Sequence, residues 1–128
     1  FLKDDALHDP LLTEAEIVER GIATTEEIET LRETSRRVFH ILEDAWAKLG
    51  VALVDCKIEF GRSTADGQLL VADVIDNDSW RIWPGGQKER MLDKQIYRDM
   101  PEVTAEGLAN VLDKYAQVAA LTDRFVQL

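Results

Sequence analysis

The sequence has 128 residues, of which 45% are hydrophobic and 31% charged, and its formal net charge is −10. This length predicts one domain or part of one, and the composition excludes a disordered or fibrous protein. An acidic chain without a stripe of Lys or Arg is not expected to bind nucleic acid, and no apolar run reaches the roughly 20 residues of a membrane span.

The start at Phe1 has neither an initiator Met nor a charged-then-apolar leader, so we expect the chain to begin within a longer protein. The single cysteine, Cys56, lies in an apolar pattern and has no partner for an internal disulfide. This predicts a reducing, cytoplasmic location.

Two capping boxes predict helix starts in the first part of the chain. Thr13 with Glu16, and Thr24 with Glu27, each place a hydroxyl and a carboxylate three residues apart, where they satisfy free amides of a first helical turn. The second helix carries apolar residues at three- and four-residue spacing. It is predicted to end at Gly50, because glycine commonly caps helix C-termini.

The hydrophobic period then changes to two. Residues 51–61 and 68–76 flank an Asp66-Gly67 turn signal and predict an antiparallel β-hairpin. If the apolar faces of the two strands lie on the same side of the hairpin, the numbers of residues that pair across the strands add to an even value. This register places four charged residues on the opposite face: Asp55, Lys57, Glu59 and Asp73.

Glu59 and Asp73 are then predicted to lie opposite or diagonal to each other. Like charges in this position are destabilising unless a positive charge lies between them. Two carboxylates, with water and phosphate oxygens completing the shell, are a usual Mg²⁺ site, and Lys57 beside them could contact a phosphate or carboxylate. The alternative is a solvated sheet face on which Lys57 pairs with its acidic neighbours.

A loop dense in hydrogen-bonding groups is predicted at residues 76–86. Arg81 could hold a phosphate or carboxylate through its planar fork of donors. The alternative is a turn stabilised by Asp and Asn side chains, with Trp80 and Trp83 in the core. His40 on the long helix is interpreted as structural.

A last helix is predicted from Thr104, since apolar residues again recur at three- and four-residue spacing. The expected fold is α+β, an antiparallel hairpin or sheet flanked by long helices.

Residues 53–61, Leu-Val-Asp-Cys-Lys-Ile-Glu-Phe-Gly, resemble the second signature of the SAICAR synthetase family at every defined position. Further segments are similar to the family at matching places: residues 1–10, 71–73, 78–83, 93–95 and 97–99. Residues 74–81 resemble the animal-type sequences, in which the domain is fused to a carboxylase of aminoimidazole ribonucleotide (AIR).

The resemblance implies the C-terminal, ATP-grasp-like part of that family's fold and an ATP-dependent ligase of purine biosynthesis. Such a ligase joins carboxyaminoimidazole ribonucleotide (CAIR) to L-aspartate, giving SAICAR, ADP and phosphate through an acyl phosphate. This chemistry depends on positioning and on neutralising phosphate charge. A sequence rich in carboxylates and cations agrees with it.

The resemblance also assigns roles to the charged face. It implies that Glu59 and Asp73 hold Mg²⁺ at the ATP phosphates. Lys57 would reach a phosphate or the carboxylate being activated, and Asp55 would orient Lys57 or a metal-bound water.

The remaining implied roles concern CAIR. Arg81 would bind its 5′-phosphate, with Asp78 and Ser79 near the substrate. Lys3 and Asp9 fall on substrate-contact positions of the family.

The family's N-terminal region, with its glycine-rich loop over ATP, lies outside these 128 residues, so the chain alone is expected to be inactive. An exposed half-cleft predicts self-association into a homo-oligomer. The alternative is a non-catalytic detached domain that serves as an assembly scaffold. The presence of Lys57, Glu59, Asp73 and Arg81 together favours the ligase.

Overall fold

The structure, a computed structural model, describes residues 10–127 and is α+β, as predicted. The chain divides into two compact units, residues 1–36 and 37–128. The helices and strands of the described residues are α1 (Glu14–Glu19), α2 (Thr25–Lys48), β1 (Val51–Cys56), β2 (Glu59–Arg62), β3 (Leu69–Ala72), β4 (Trp80–Pro84), α3 (Gln95–Arg98) and α4 (Ala105–Thr122). Short 3₁₀ turns occupy Lys88–Arg90 and Phe125–Gln127.

Both predicted capping boxes are confirmed. The Thr13 amide donates to Glu16 Oε2 at 2.8 Å, and the Glu16 amide donates to Thr13 Oγ1 at 3.3 Å. At the start of α2, the Thr24 amide donates to Glu27 Oε2 at 2.8 Å and the Glu27 amide to Thr24 Oγ1 at 3.2 Å. These bonds satisfy amides that have no partner within the helix, which is why the two helices begin where the local sequence predicts.

The boundaries of the other long helices also agree with the prediction. α2 ends at Lys48, and Gly50 follows with φ of +72°, a conformation that glycine adopts without steric cost. Thr104 caps α4, since its Oγ1 accepts from the Gly107 amide at 3.0 Å. Within residues 10–127, no helix is both long enough and apolar enough to span a membrane.

The core of the second unit is built around Trp46, which is fully buried. Its ring meets those of Trp80 and Phe125 edge to face, at centroid distances of 5.3 and 4.8 Å. The buried apolar residues of the described chain are Trp46, Val51, Leu53, Trp80, Ile82, Leu92 and Val118. The core interpretation of Trp80 is therefore confirmed, whereas Trp83 is only partly buried.

The predicted strand 51–61 is in fact two strands with different partners. β1 pairs with β4, with Val51 opposite Pro84 and Asp55 opposite Arg81. The prediction that residues 51–56 pair with 68–76, and that 76–86 is entirely loop, is wrong. Alternation in 51–56 correctly indicates a strand with a buried face, but alternation does not say which distant strand completes the pair.

The predicted hairpin forms between β2 and β3, in a different register. Glu59 pairs with Ala72, so the numbers of paired residues add to 131. The predicted register, which requires an even sum, is therefore wrong. The turn sets this register, because the Ser63 amide donates to the Gln68 carbonyl and the Gly67 amide to the Ser63 carbonyl, both at 2.9 Å. Both faces of the hairpin remain partly exposed, so burial does not select the register.

Candidate active site

A polar cleft of about 310 Å³ lies in the second unit, where β2, the end of β3, the loop before β4 and α3 meet. Its charged lining consists of four carboxylates and three cations: Glu59, Asp73, Asp76, Asp78, Lys57, Lys94 and Arg98. Ser79 also lines the cleft. Such a mixture suits a ligand that carries anionic groups together with a divalent cation.

Asp73 lies directly after β3 in the left-handed backbone region, with φ of +69°. Among the described residues it is the single non-glycine with positive φ, a conformation that is costly for a side chain and is often found at functional sites. Its Oδ1 accepts from the Val74 amide at 2.9 Å. This turn breaks the alternation of β3, and it explains how Asp73 and Glu59 line one cleft although Glu59 pairs with Ala72.

Lys57 and Glu59 form an ion pair within the cleft. Lys57 Nζ lies 2.5 Å from Glu59 Oε1, and the side chains are 64% and 34% exposed. The Lys57 amide donates to the Ser79 carbonyl at 2.7 Å, which ties this residue to the loop before β4. Pairing of Lys57 with an acidic neighbour, one of the sequence alternatives, is therefore observed. An ion pair this exposed contributes little to stability and can exchange partners with a ligand.

Asp55 and Arg81 face each other across the β1–β4 ladder. Arg81 Nε donates to Asp55 Oδ1 at 3.0 Å, and Nη2 donates to Oδ2. Both side chains are about half exposed, and neither lines the polar cleft. The structure therefore brings together five of the predicted site residues and places these two in a separate pair: the five are Lys57, Glu59, Asp73, Asp78 and Ser79. Lys3 and Asp9 lie outside the described residues.

Asp78 is held by two side chains that were not predicted to belong to the site. Lys94 Nζ donates to Oδ2 at 2.8 Å, and the Tyr115 hydroxyl donates to Oδ1 at 2.9 Å. The hydrogen bonds from Lys94 and then Tyr115 lower the pKa of Asp78. Burial, followed by the hydrogen bond to Asp78, raises the pKa of Tyr115 to about 12.

Lys94 and Arg98 carried a signal that was available in the sequence. They stand four residues apart, Lys94 as the N-cap and Arg98 as the last residue of the short helix α3, and this spacing puts two side chains on one helical face. Both line the cleft. Tyr115 had no such signal, because it belongs to an apolar stripe of α4 and reaches a residue 37 positions earlier.

The loop that carries Asp76, Asp78 and Ser79 is closed by its own hydrogen bonds. Asp76 Oδ1 accepts from the Asp78 amide at 2.9 Å, and Ser79 Oγ accepts from the Asp76 amide at 3.2 Å. Ser79 Oγ also donates to the Val74 carbonyl at 3.2 Å. The turn stabilised by Asp side chains is therefore confirmed.

Two buried polar residues connect the loop before β4 and the start of α3 to the core by hydrogen bonds. Asn77, between Asp76 and Asp78, accepts from Trp80 Nε1 and donates to the Leu92 carbonyl, both at 2.9 Å. Asp93 is 1% exposed, and its carboxylate accepts from the Ile82 amide at 3.0 Å and the Gln95 amide at 2.9 Å. These bonds connect β4 and the start of α3, and hence Lys94, to the core.

Two carboxylates of the cleft are of the kind that can hold a magnesium ion together with a phosphate. Within residues 10–127, no group of three or more His, Cys, Asp or Glu side chains is arranged to hold a metal unaided. Mg²⁺ keeps several waters and is commonly held by one or two carboxylates with substrate phosphates. Glu59 and Asp73 supply such a pair. His40 does not take part, being 70% exposed and bonded to Glu43 on α2.

The comparisons with known proteins agree on one family. The family model described as SAICAR synthetase matches residues 1–115. A phosphoribosylaminoimidazole-succinocarboxamide synthase of Roseiflexus sp. (strain RS-1) is 63% identical over 126 residues, which cover 98% of this chain and 50% of that protein. A bifunctional phosphoribosylaminoimidazole carboxylase and succinocarboxamide synthetase of Drosophila melanogaster is 44% identical over 125 residues, covering 93% of this chain and 29% of that protein.

Identity is thus higher with the bacterial relative than with this animal one, although residues 74–81 had indicated animal-type sequences. Among solved structures, a SAICAR synthetase in complex with ADP superposes with a TM-score of 0.77 at 32% identity. The match covers 93% of this chain and 47% of that one. The chain spans about half the length of the curated bacterial relatives it matches.

Proposed function

The chain belongs to the SAICAR synthetase family, and we propose that it supplies the magnesium- and phosphate-binding half of an ATP-dependent ligase that joins CAIR and L-aspartate. In this reaction a CAIR carboxylate oxygen attacks the γ-phosphorus of ATP, ADP leaves and an acyl phosphate forms. The aspartate amine then attacks the acyl carbon, phosphate leaves, and the nitrogen loses a proton. The product is SAICAR.

The observation that carries the proposal is the meeting of Glu59, Asp73 and the three cations in one cleft. Glu59 and Asp73 would hold Mg²⁺, which when bound would screen the negative charge of the nucleotide phosphates. Lys57 would then exchange its contact with Glu59 for a phosphate oxygen or the CAIR carboxylate. The left-handed backbone at Asp73 supports this role, since it directs a strained residue to the cleft.

Arg81 and Asp55 are proposed to act together at the ribotide end of CAIR. The guanidinium fork would bind the 5′-phosphate, for which its planar donors are suited. Asp55, which already accepts from Arg81, would keep the fork in place on β4; its proposed orienting role toward Lys57 or a metal-bound water is an alternative. Asp78 and Ser79 would lie near the substrate, and Lys3 and Asp9 are proposed as further substrate contacts.

The nucleotide, the cellular location and the oligomeric state of the enzyme are also proposals. We propose that ATP is the nucleotide, since a family member binds ADP, and that the enzyme is cytoplasmic, as the free thiol of Cys56 suggests. Exposed apolar side chains, among them Leu112 at 72% and Val74 at 69%, support a homo-oligomer. Fusion to an AIR carboxylase, as in the Drosophila relative, is also proposed, and the gene sequence tests it.

Calorimetric titration of the 128-residue chain with ATP and with CAIR, each with and without Mg²⁺, tests the proposal. We expect metal-dependent binding that is lost in the E59Q/D73N double variant and unchanged in D44N, which removes one exposed carboxylate of α2 outside the cleft. No metal-dependent binding by the wild-type chain would contradict the ligase and support the scaffold alternative. Because the chain spans half the length of its relatives, we expect binding without SAICAR formation by the 128 residues alone.

A further inference from the structure

Tyr115 lies between two cavities of the second unit. Its side chain lines an apolar cavity of about 420 Å³, together with Leu42, Trp80, Val118 and Phe125. Its hydroxyl reaches Asp78, which lines the polar cleft, at 2.9 Å. Tyr115 therefore connects α4 to the candidate active site through one hydrogen bond.

We propose that Tyr115 is a positioning residue of the ligase site: its hydroxyl fixes Asp78, and Asp78 fixes the ammonium of Lys94 so that it can bind an anionic group of CAIR in the cleft. This inference rests on the proposed function, because it names the substrate that Lys94 would bind. Tyr115 itself acts through Asp78 and Lys94 and does not touch the substrate.

The geometry restrains the Asp78 carboxylate on both of its oxygens. Tyr115 donates to Oδ1 and Lys94 to Oδ2, so neither oxygen can turn without breaking a bond. The backbone of Asp78 is held as well, since its amide donates to Asp76 Oδ1 at 2.9 Å. Lys94 uses one of its three N–H groups on Asp78 and retains donors for a ligand.

The ion pair that Tyr115 supports is exposed enough to meet a ligand. The Asp78 and Lys94 side chains are 51% and 37% exposed, and ion pairs at such exposure contribute little to stability. The side chain of Tyr115 is partly buried and lines the apolar cavity. Its hydroxyl donates to Asp78 at 2.9 Å, and the raised pKa, about 12, keeps the hydroxyl protonated well above neutral pH.

A double-mutant cycle in the full 128-residue chain tests the inference, with CAIR affinity in the presence of Mg²⁺ measured by calorimetry. Y115F removes one hydroxyl and keeps the ring, and we expect it to weaken CAIR binding about fivefold, as loss of one hydrogen bond does. K94M is expected to weaken binding more. The combined K94M/Y115F variant should bind no more weakly than K94M, because Tyr115 acts through Lys94.

The matched control is Y97F, which removes a hydroxyl from an exposed tyrosine of α3 and should leave CAIR affinity unchanged. Thermal unfolding of each variant checks that the fold is retained. Carbon-13 NMR titration of the Asp78 carboxyl gives an independent readout, since its pKa should rise in Y115F.

The outcomes separate this inference from the proposed function. If wild-type chain does not bind CAIR at all, the proposed function fails and the inference fails with it. If wild-type binds and Y115F binds equally well, or if the effects of Y115F and K94M add, the inference is overturned while the proposed function stands.

Discussion

Asp55 and Arg81 form a two-point ion pair across the β1–β4 ladder, in which the guanidinium donates to both carboxylate oxygens. The pair occupies directly opposed positions of two antiparallel strands, so the backbone register sets its geometry. It lies outside the polar cleft. If Arg81 binds the ribotide phosphate, the orientation of its fork is already determined by Asp55 before the ligand arrives.

The first prediction concerns Arg81→Lys, which keeps the charge and removes the fork. We expect CAIR affinity to fall about tenfold or more, because a lysine cannot make the paired hydrogen bonds. Magnesium-dependent ATP binding should be unchanged, and so should the melting temperature, since the pair is half exposed. Calorimetry with both ligands measures this, with Arg36→Lys on the exposed face of α2 as control. Equal CAIR affinity in R81K would remove Arg81 from the binding site.

A second prediction separates backbone strain from ligand binding at Asp73. Asp73→Gly should raise the free energy of unfolding by up to about 1 kcal/mol, because glycine adopts the left-handed conformation without steric cost. The same change should abolish metal-dependent ATP binding. Urea denaturation and calorimetry of one preparation measure both quantities.

The control for this experiment is Asp73→Asn, which should also lose the metal but gain little stability, as asparagine tolerates this backbone region nearly as well as aspartate does. Metal-dependent binding by either variant at wild-type strength would show that Asp73 is not a ligand.

A third prediction follows from Tyr115. Its pKa is raised in the folded protein from 10.0 to about 12. A group whose pKa is higher in the folded than in the unfolded protein stabilises the fold. This contribution is complete below the pKa of the unfolded state and is lost as the pH rises through the pKa of the folded state. The stability of the wild-type chain should therefore decline between pH 10 and about pH 12. In Y115F the decline over this interval should be smaller. Identical pH profiles of the two proteins, measured by urea denaturation, would contradict the assignment.

A fourth prediction addresses the buried amide of Asn77. Asn77→Leu is close in size but leaves Trp80 Nε1 and the Leu92 carbonyl without their partner. We expect the free energy of unfolding to fall by about 2 kcal/mol, the cost of unsatisfied buried polar groups. Denaturation curves measure the change, and Asn110→Leu on the exposed face of α4 serves as control. Equal losses in the two variants would contradict a specific role for Asn77.

The sequence predicted those parts of the fold that are determined locally. The helix starts at Thr13, Thr24 and Thr104 depend on hydrogen bonds between residues three apart, and all three are confirmed. Strand pairing depends on distant residues: the partner of β1 lies beyond an entire hairpin. The register of β2 and β3 was predicted wrongly for a different reason. The hydrogen bonds of the turn at residues 63–68 set this register, and the hydrophobic pattern has little influence because the hairpin is partly exposed.

The candidate site was likewise predictable only where local sequence determines it. Lys57, Glu59 and Asp73 line one cleft, as predicted, although the strand register from which they were grouped is wrong. Asp73 nevertheless reaches the cleft through a left-handed backbone that no periodicity predicts. Tyr115 was missed because its role depends on a contact between α4 and a loop 37 residues earlier.

In the loop before β4, successive residues belong alternately to the polar cleft and to the core of the second unit. Asp76 and Asp78 line the cleft, while Asn77 between them holds an indole and a carbonyl of the core. Substitutions that repack the interior around Trp80 are therefore expected to displace the neighbouring carboxylates. An engineer seeking a more stable variant should hold these three positions and Trp80 constant and vary residues elsewhere.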